Sequence, residues 1–379
     1  MHLIENYARL PVRFVRGEGV YLYDDEGKRY LDFLSGIAVC SLGHAHPKLT
    51  EALCRQAREL IHVSNLFENP WQEELARELV GEFWTKDARV FFCNSGAEAN
   101  ETAIKLARRH FRSRGEDRYR LITFRKGFHG RTYGSLSATA QEKFHEGFEP
   151  TLEGFDYAEF NDISSVKKLL REDTAGVMLE VIQGEGGVNE AEEGFLREVQ
   201  SLCREEGLLL MVDEVQTGIG RTGRFYGYQH YGIEPDIITL AKGLGGGVPI
   251  GAVVAREEVA KILTPGTHGS TFGGNALACR SALVVVEEVR KLLGQIEEMG
   301  NFLREKLEGL NIGKVKGKGL MLGVETGRDC RELVLEALKE GLVINCTAGS
   351  VLRFLPPLIV EREHIEEATD ILKRVVQKL

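Results

Sequence analysis

Apolar runs too short for a buried helix alternate with stretches of helical periodicity through the middle of the chain. Arg89–Asn94 (RVFFCN) has the unbroken apolar character of a strand buried on both faces, and Ala97–Phe111 places its apolar residues at helical spacing. Further strands are predicted over Arg120–Phe124, Gly176–Ile182, Leu208–Val212, Ile237–Leu240 and Gly251–Ala255, with helices over Asp162–Leu170 and Gly194–Glu206. Strands separated by helices imply right-handed crossovers, hence an α/β fold with a mostly parallel sheet covered on both faces. The two ends read differently. Gly19–Phe33 has the pattern of a hairpin with Asp24-Asp25-Glu26-Gly27 as its turn, and from about residue 280 helices and strands of a smaller unit run to the C-terminus. No linker, solenoid repeat or low-complexity tract interrupts the chain.

Open α/β sheets carry their chemistry beyond the carboxyl ends of the strands. In this chain the unusual polar residues follow the apolar runs: Asn94-Ser95-Gly96, Gln183-Gly184-Glu185, Asp213-Glu214-Val215-Gln216 and Lys242-Gly243. Asp213 ends LLLMVD and Lys242 follows ITLA. A carboxylate buried at a strand end needs a partner. Two readings fit: a structural ion pair with Lys242, or a lysine that binds pyridoxal 5′-phosphate as a Schiff base while the aspartate keeps the pyridine nitrogen protonated. Asn94-Ser95-Gly96-Ala97-Glu98 at a helix start is either a phosphate cradle or an ordinary serine cap completed by Glu98. Gly127-Phe128-His129-Gly130-Arg131-Thr132 offers an aromatic ring and an anion-binding guanidinium, or a surface turn over a buried phenylalanine. Gly245-Gly246-Gly247 lacks the Gly-Lys-Ser/Thr ending of a nucleotide loop, and His44-Ala45-His46 has no second cluster to complete a metal site.

Composition narrows the partners. Of 379 residues 43% are hydrophobic, enough for a large core and two domains. The formal charge is −9, with basic residues interspersed among acidic ones, which argues against nucleic acid or an anionic membrane. Seven scattered cysteines with no Cys-x-x-Cys pair suggest reduced thiols. No apolar run is long enough to span a bilayer, and Met1–Tyr7 lacks the basic-then-apolar order of a signal peptide, so a cytoplasmic protein is expected.

Taken together, NSGAEANE (94–101), GFHGRT (127–132), EVIQGEGG (180–187), DEVQTGIGRTG (213–223), LAKGLGGGVPIGA (240–252), HGSTFGGNALAC (268–279) and RFLPPL (353–358) resemble the class III, or ω-, aminotransferases, and among them the acetylornithine aminotransferases most. The resemblance covers essentially the whole chain. It implies the fold-type-I aminotransferase architecture: a large domain over residues 47–279, and a small α+β domain built from residues 1–46 and 280–379. It further implies a homodimer with active sites at the interface.

The same resemblance implies roles. Lys242 would carry the pyridoxal phosphate and shuttle the proton, and Asp213 would bind the ring nitrogen. Gln216 would lie near the 3′-oxygen, with Val215 and Phe128 on opposite ring faces. Ser95, Gly96 and Ala97 would hold the phosphate with Thr271 from the neighbouring subunit. Arg131 would bind the α-carboxylate of N-acetylornithine, with Ser270 nearby from the other chain, and Arg353 that of 2-oxoglutarate. Glu185 would mask Arg353 in the other half-reaction, since removing one partner of a buried ion pair costs roughly 3–5 kcal/mol. Relatives that use free ornithine carry a tyrosine where this chain has Ile37, so an acylated donor is expected, with Tyr7 a further contact; ornithine, 4-aminobutyrate, succinyl-diaminopimelate and acetyl-lysine are the rival donors.

Overall fold

The computed structural model describes residues 2–378. A seven-stranded sheet forms its centre. In spatial order the strands are Ala88–Cys93, Gly251–Arg256, Ile237–Leu240, Leu209–Asp213, Thr174–Leu179, Arg120–Phe124 and Phe155–Ala158. All neighbours are parallel except at Gly251–Arg256, which runs antiparallel to both strands beside it. The expected mostly parallel sheet is therefore present. The exception has a physical cause: residues 241–250 contain only the short 3-10 turn Lys242–Gly245, and a parallel crossover needs a longer connection, usually a helix.

Two details depart from the sequence reading. The strand expected to run from Gly176 to Ile182 stops at Leu179, and Ile182–Gln183 instead pairs with Asn189–Glu190 in a separate ladder. The break falls at Glu180, a carboxyl that a continuous strand between covering helices could not accommodate. Phe155–Ala158 was not expected as a strand. Its sequence, FDYA, carries an aspartate and it pairs on one side only, at the sheet edge.

Helix Gly96–Arg112 lies against the sheet through Ala99, Ala103 and Ala107, all fully buried, and these small side chains allow close approach. The Tyr21–Asp24 and Arg29–Asp32 strands form the hairpin expected near the N-terminus, and Arg29–Asp32 runs parallel to Leu342–Val343 from near the other end. Both ends thus meet in one sheet. A second small sheet is ordered Lys314–Lys318, Met321–Glu325, Val351–Phe354, Asn345–Thr347. Helix Ala276–Gly309 joins the two regions, so the boundary expected after residue 279 falls in its first turn. The main apolar core is continuous from Phe33 through Val212 to Leu372. No helix among the described residues is long and apolar enough to cross a membrane.

The cysteine reading needs correction. Cys330 and Cys346 form a disulfide, whereas Cys40, Cys54, Cys93, Cys203 and Cys279 are free. Sequence spacing gave no hint, because the bond joins the cap of helix Arg331–Lys339 to a strand only once both are folded. Disulfides also occur in intracellular proteins of hyperthermophiles, so the bond does not by itself place the chain outside a cell. Replacing both partners, Cys330→Ser with Cys346→Ser, is expected to lower the unfolding free energy by about 3 kcal/mol through the loop entropy released. Equilibrium denaturation of oxidised wild type against the double variant measures it, and equal midpoints would refute a stabilising role.

Candidate active site

A cleft of about 410 Å³ opens where the central strands end. At its floor is Asp213, the last residue of its strand and only 4% exposed. One carboxylate oxygen, Oδ2, accepts from Asn100 Nδ2 and from His129 Nδ1, each at 2.8 Å, and Oδ1 accepts from the Val215 amide at 3.0 Å. Because a carboxylate only accepts, Nδ1 of His129 is the donor in that bond. Asn100 is itself fully engaged: its amide also donates to the His129 carbonyl at 2.6 Å, and its Oδ1 accepts from Thr239 Oγ1 at 2.7 Å. Asn100 lies one helical turn beyond Gly96 and so shares the face turned to the strand ends.

Lys242 follows the neighbouring strand and is half-buried at the cleft. The structural ion pair considered for it does not form: among the described residues Asp213 is bound by His129 and Asn100, and Lys242 has no carboxylate within salt-bridge distance. Burial lowers the Lys242 pKa from the ordinary lysine value, opposed by the charges of Glu185, Asp213 and Glu180 and reinforced by Arg353. An amine depressed in this way is a better nucleophile at neutral pH.

The start of helix Gly96–Arg112 combines both readings of its motif. Ser95 caps the helix, its hydroxyl oxygen accepting from the Glu98 amide at 3.2 Å, while the Glu98 carboxylate turns to the Asn94 amide at 2.6 Å. The Gly96 and Ala97 amides in the first turn have no acceptor among the described residues. They line the cleft at the positive end of the helix dipole. A side chain at Gly96 would bring its Cβ to 2.7 Å from Val215 Cγ1, so glycine lets the helix start close against Val215.

Arg353 is fully buried on the Val351–Phe354 strand and donates from Nη1 to Glu185 Oε1 at 2.6 Å and to Gln216 Oε1 at 3.3 Å. Its Nη2 has no partner. Glu185 is 27% exposed at its side chain. Burial pushes the Glu185 carboxyl up, but the charge and hydrogen bond of Arg353 outweigh this and hold it below the ordinary carboxylate value. At the cleft mouth the Arg131 guanidinium stacks 3.8 Å from the centre of the Phe144 ring, and Phe144 in turn meets Phe128 edge-on. Arg131 is exposed and has no carboxylate partner among the described residues.

Of the residues expected at the site, Lys242, Asp213, Ser95, Gly96, Ala97, Phe128, Val215, Gln216, Arg131 and Glu185 line this cleft, and Arg353 reaches it through Glu185 and Gln216. Ser270 lies beside it in the same chain, its hydroxyl accepting from Asn94 Nδ2 at 3.2 Å. Thr271 is exposed and Tyr7 is 72% exposed; neither lines the cleft of its own chain. Ile37 packs with the apolar cluster of Ile182 and Met321, behind the cleft wall. His44 turns to Asp32 Oδ2 at 2.8 Å. Sequence reasoning did not single out Asn100, His129, Phe144 or Glu180. Glu180 Oε1 accepts from the Phe128 amide at 3.2 Å, and Oε2 is buried without a partner. Burial, and then the like charge of Asp213, push its pKa well above the ordinary carboxylate value.

The family model for aminotransferase class-III matches residues 4–376. This chain belongs to the class-III aminotransferases. It is 65% identical over 375 residues to the acetylornithine aminotransferase of Aquifex aeolicus (strain VF5), covering 99% of this chain and 100% of that protein. Among solved structures it is similar to N-acetylornithine aminotransferase from Stenotrophomonas maltophilia K279a, with TM-score 0.85 and 37% identity over 98% of this chain and 97% of that one. It is also similar to the ornithine aminotransferase from Toxoplasma gondii crystallized in the presence of oxidized glutathione, with TM-score 0.92 and 36% identity over 99% of this chain and 92% of that one. PLP is partially occupied at the active site of that enzyme. The α/β architecture expected of fold-type-I aminotransferases is thereby established for this class-III member.

Asn100→Leu removes two donors and one acceptor from the Asp213 network while keeping side-chain volume. Leaving buried polar groups unpaired costs about 1–3 kcal/mol. Activity is expected to fall at least about tenfold. Steady-state rates and thermal unfolding of the variant measure both, and wild-type values would show the network to be dispensable.

Proposed function

We propose that this chain transfers the terminal amino group of N2-acetyl-L-ornithine to 2-oxoglutarate, giving N-acetyl-L-glutamate 5-semialdehyde and L-glutamate in arginine biosynthesis, with pyridoxal 5′-phosphate as cofactor. The observation that carries this reading is the pairing of a fully buried Arg353 with a partly exposed Glu185, beside the unpaired amine of Lys242. The names of the Aquifex aeolicus and Stenotrophomonas maltophilia enzymes support the donor.

The residues fit the cofactor. Unpartnered Gly96 and Ala97 amides with the exposed Ser95 hydroxyl suit a phosphate, and a Cβ at Gly96 would intrude on Val215. Thr271 of a second subunit would complete that cradle, Gln216 would meet the 3′-oxygen, and Val215 and Phe128 would enclose the ring. When bound, the group supplies an electron sink for the carbanion formed at the amine carbon.

The protein's own residues do the rest. Asp213, oriented by the donors of Asn100, His129 and Val215, would meet the ring nitrogen and favour a proton there. Lys242 would hold the cofactor through its amine, and the same amine, when free, is the group placed to move a proton at the amine carbon of the substrate. Arg131 takes the α-carboxylate of the acylated donor, with Ser270 alongside. Arg353 takes the α-carboxylate of 2-oxoglutarate after Glu185 swings away, and Glu185 neutralises it when the donor presents no carboxylate there.

The working unit is a homodimer in the cytoplasm, divided into a large domain over residues 47–279 and a small domain from residues 1–46 and 280–379. Leu66 (87% exposed), Phe67, Ile61 and Phe272 form an apolar surface, and Asn65 ties it together by donating to the Ser270 and Gly273 carbonyls. Contiguous apolar surface of this kind marks a protein contact. Leu66→Glu is expected to shift the chain to monomer in sedimentation and to lower activity with it; an unchanged dimer would locate the interface elsewhere.

A donor panel tests the reaction itself. With 2-oxoglutarate as acceptor and glutamate formation measured, N-acetylornithine is expected to exceed free ornithine in kcat/KM by at least about tenfold, or roughly 1.4 kcal/mol. Relatives that use free ornithine carry a tyrosine where this chain has Ile37, and an isoleucine packed behind the cleft wall brings no hydroxyl to a free α-ammonium, whereas the acylated nitrogen is neutral. Equal use of ornithine, or a faster rate with 4-aminobutyrate or an acylated lysine or diaminopimelate, would overturn the assignment of donor.

A further inference from the structure

The surroundings of Arg353 are built on one edge strand. Asn345–Thr347 runs antiparallel to Val351–Phe354 at the end of its sheet, with Asn345 opposite Arg353 and Thr347 opposite Val351. Asn345 and Thr347 share a face because side chains alternate along a strand. Asn345 Oδ1 accepts from Arg353 Nε at 3.1 Å, and Thr347 Oγ1 donates to the Glu185 main-chain carbonyl at 2.8 Å. Between them, Cys346 fastens the strand to Cys330 at the cap of helix Arg331–Lys339. One short strand therefore touches both halves of the ion pair.

The chemistry of each contact is specific. A guanidinium presents its donors in a rigid planar fork. Asn345 engages Nε with a neutral acceptor, which fixes the plane of the fork and leaves its charge intact. Nη1 goes to Glu185 and Gln216, and Nη2 has no partner. Thr347 holds Glu185 by its main chain and leaves the carboxylate arm free. The arm has solvent to move into, because Glu185 is partly exposed while Arg353 is not.

We infer that Asn345 and Thr347 are positioning residues for this pair, and that together they set how well the carboxylate of a dicarboxylic substrate competes with Glu185 for Arg353. Asn345 orients the guanidinium without neutralising it. Thr347 confines the motion of Glu185 to its side chain. This rests on the proposal that Arg353 is the carboxylate site for the acceptor.

The test uses the purified holoenzyme and two readouts: calorimetric binding of glutarate, a dicarboxylate that cannot react, and single-turnover half-reactions with glutamate and with N-acetylornithine. Asn345→Asp adds a fixed carboxylate at Nε, so the glutarate Kd should rise at least tenfold and the glutamate half-reaction weaken in parallel. The N-acetylornithine half-reaction should stay within about twofold, a split that general loosening of the fold would not give. Asn345→Ala, which removes the acceptor without adding charge, should raise the glutarate Kd about threefold. Thr347→Val should do the same and Thr347→Ser should restore it. Arg353→Gln separates the two levels of the argument. If it leaves glutarate binding unchanged, Arg353 is not the carboxylate site and the underlying reading fails. If it weakens binding while folded Asn345 and Thr347 variants bind normally, the positioning inference alone is overturned. Equal losses in both half-reactions would also overturn it, by showing a purely structural role.

Discussion

Everything in the cleft depends on how buried charge is compensated. Asp213 is held at the end of its strand by donors from a helix, a loop and the turn that follows it. Those three bonds fix the helix start, the Phe128–Arg131 loop and the Val215–Gln216 turn relative to one another. Because these three donors satisfy Asp213, Lys242 is not needed beside it, and the lysine just past the next strand stays unpaired. The lysine and aspartate that the sequence suggested as an ion pair are thus both in the cleft without being paired to each other. An amine of lowered pKa is thereby available beside a carboxylate whose hydrogen bonds come from elsewhere.

The site was legible wherever chemistry follows directly on a strand. Asp213, Lys242, Glu185 and the Asn94–Ala97 segment all stand just beyond apolar runs: the strands before Asp213 and Lys242 are neighbours, the one before Asn94 lies beyond one intervening strand, and Glu185 comes just past a strand break. Residues that act through contacts distant in sequence were not legible. Asn100 sits in GAEANE, where a polar residue on a helix normally reads as a solvated position, yet it is buried against a residue 113 positions away. His129 lay inside a recognised motif but between residues of plainer function. Glu180 looked like the middle of a strand, because nothing local announces that the ladder stops there. The same limit hid the disulfide and the role of Asn345, whose meaning depends on strand pairing near the C-terminus.

The two readings of the Asn94–Glu98 motif turn out to be compatible. Ser95 uses a lone pair to cap Glu98 and retains its hydroxyl proton, so it can accept from the helix and donate to an anion at once. Glu98 is drawn away to Asn94, which keeps its negative charge off the Gly96 and Ala97 amides. A capping box of the usual kind would have returned that carboxylate to the Ser95 amide, beside the same free donors. The departure by one residue separates a helix that is merely capped from one that can still receive a phosphate.

Fixed and movable parts are divided in the same way around Arg353. A buried guanidinium cannot leave without unpaired donors being stranded in the core, so if one group is to change between the two proposed substrates it is the partner, Glu185. Arg353 is held by Asn345 at Nε and enclosed by its strand, while Glu185 has an accessible side chain on a main chain anchored by Thr347. Electrostatics alone would favour a permanent pair, since the Arg353 charge keeps Glu185 ionised. On the proposed role of Arg353, a substrate carboxylate would bring two oxygens to a fork with one donor still free, Nη2, and so could replace the hydrogen bond of Glu185 and add another. In that reading the unpartnered nitrogen is the feature that would allow exchange. A site with every donor satisfied would bind Glu185 equally well and accept no acceptor at all.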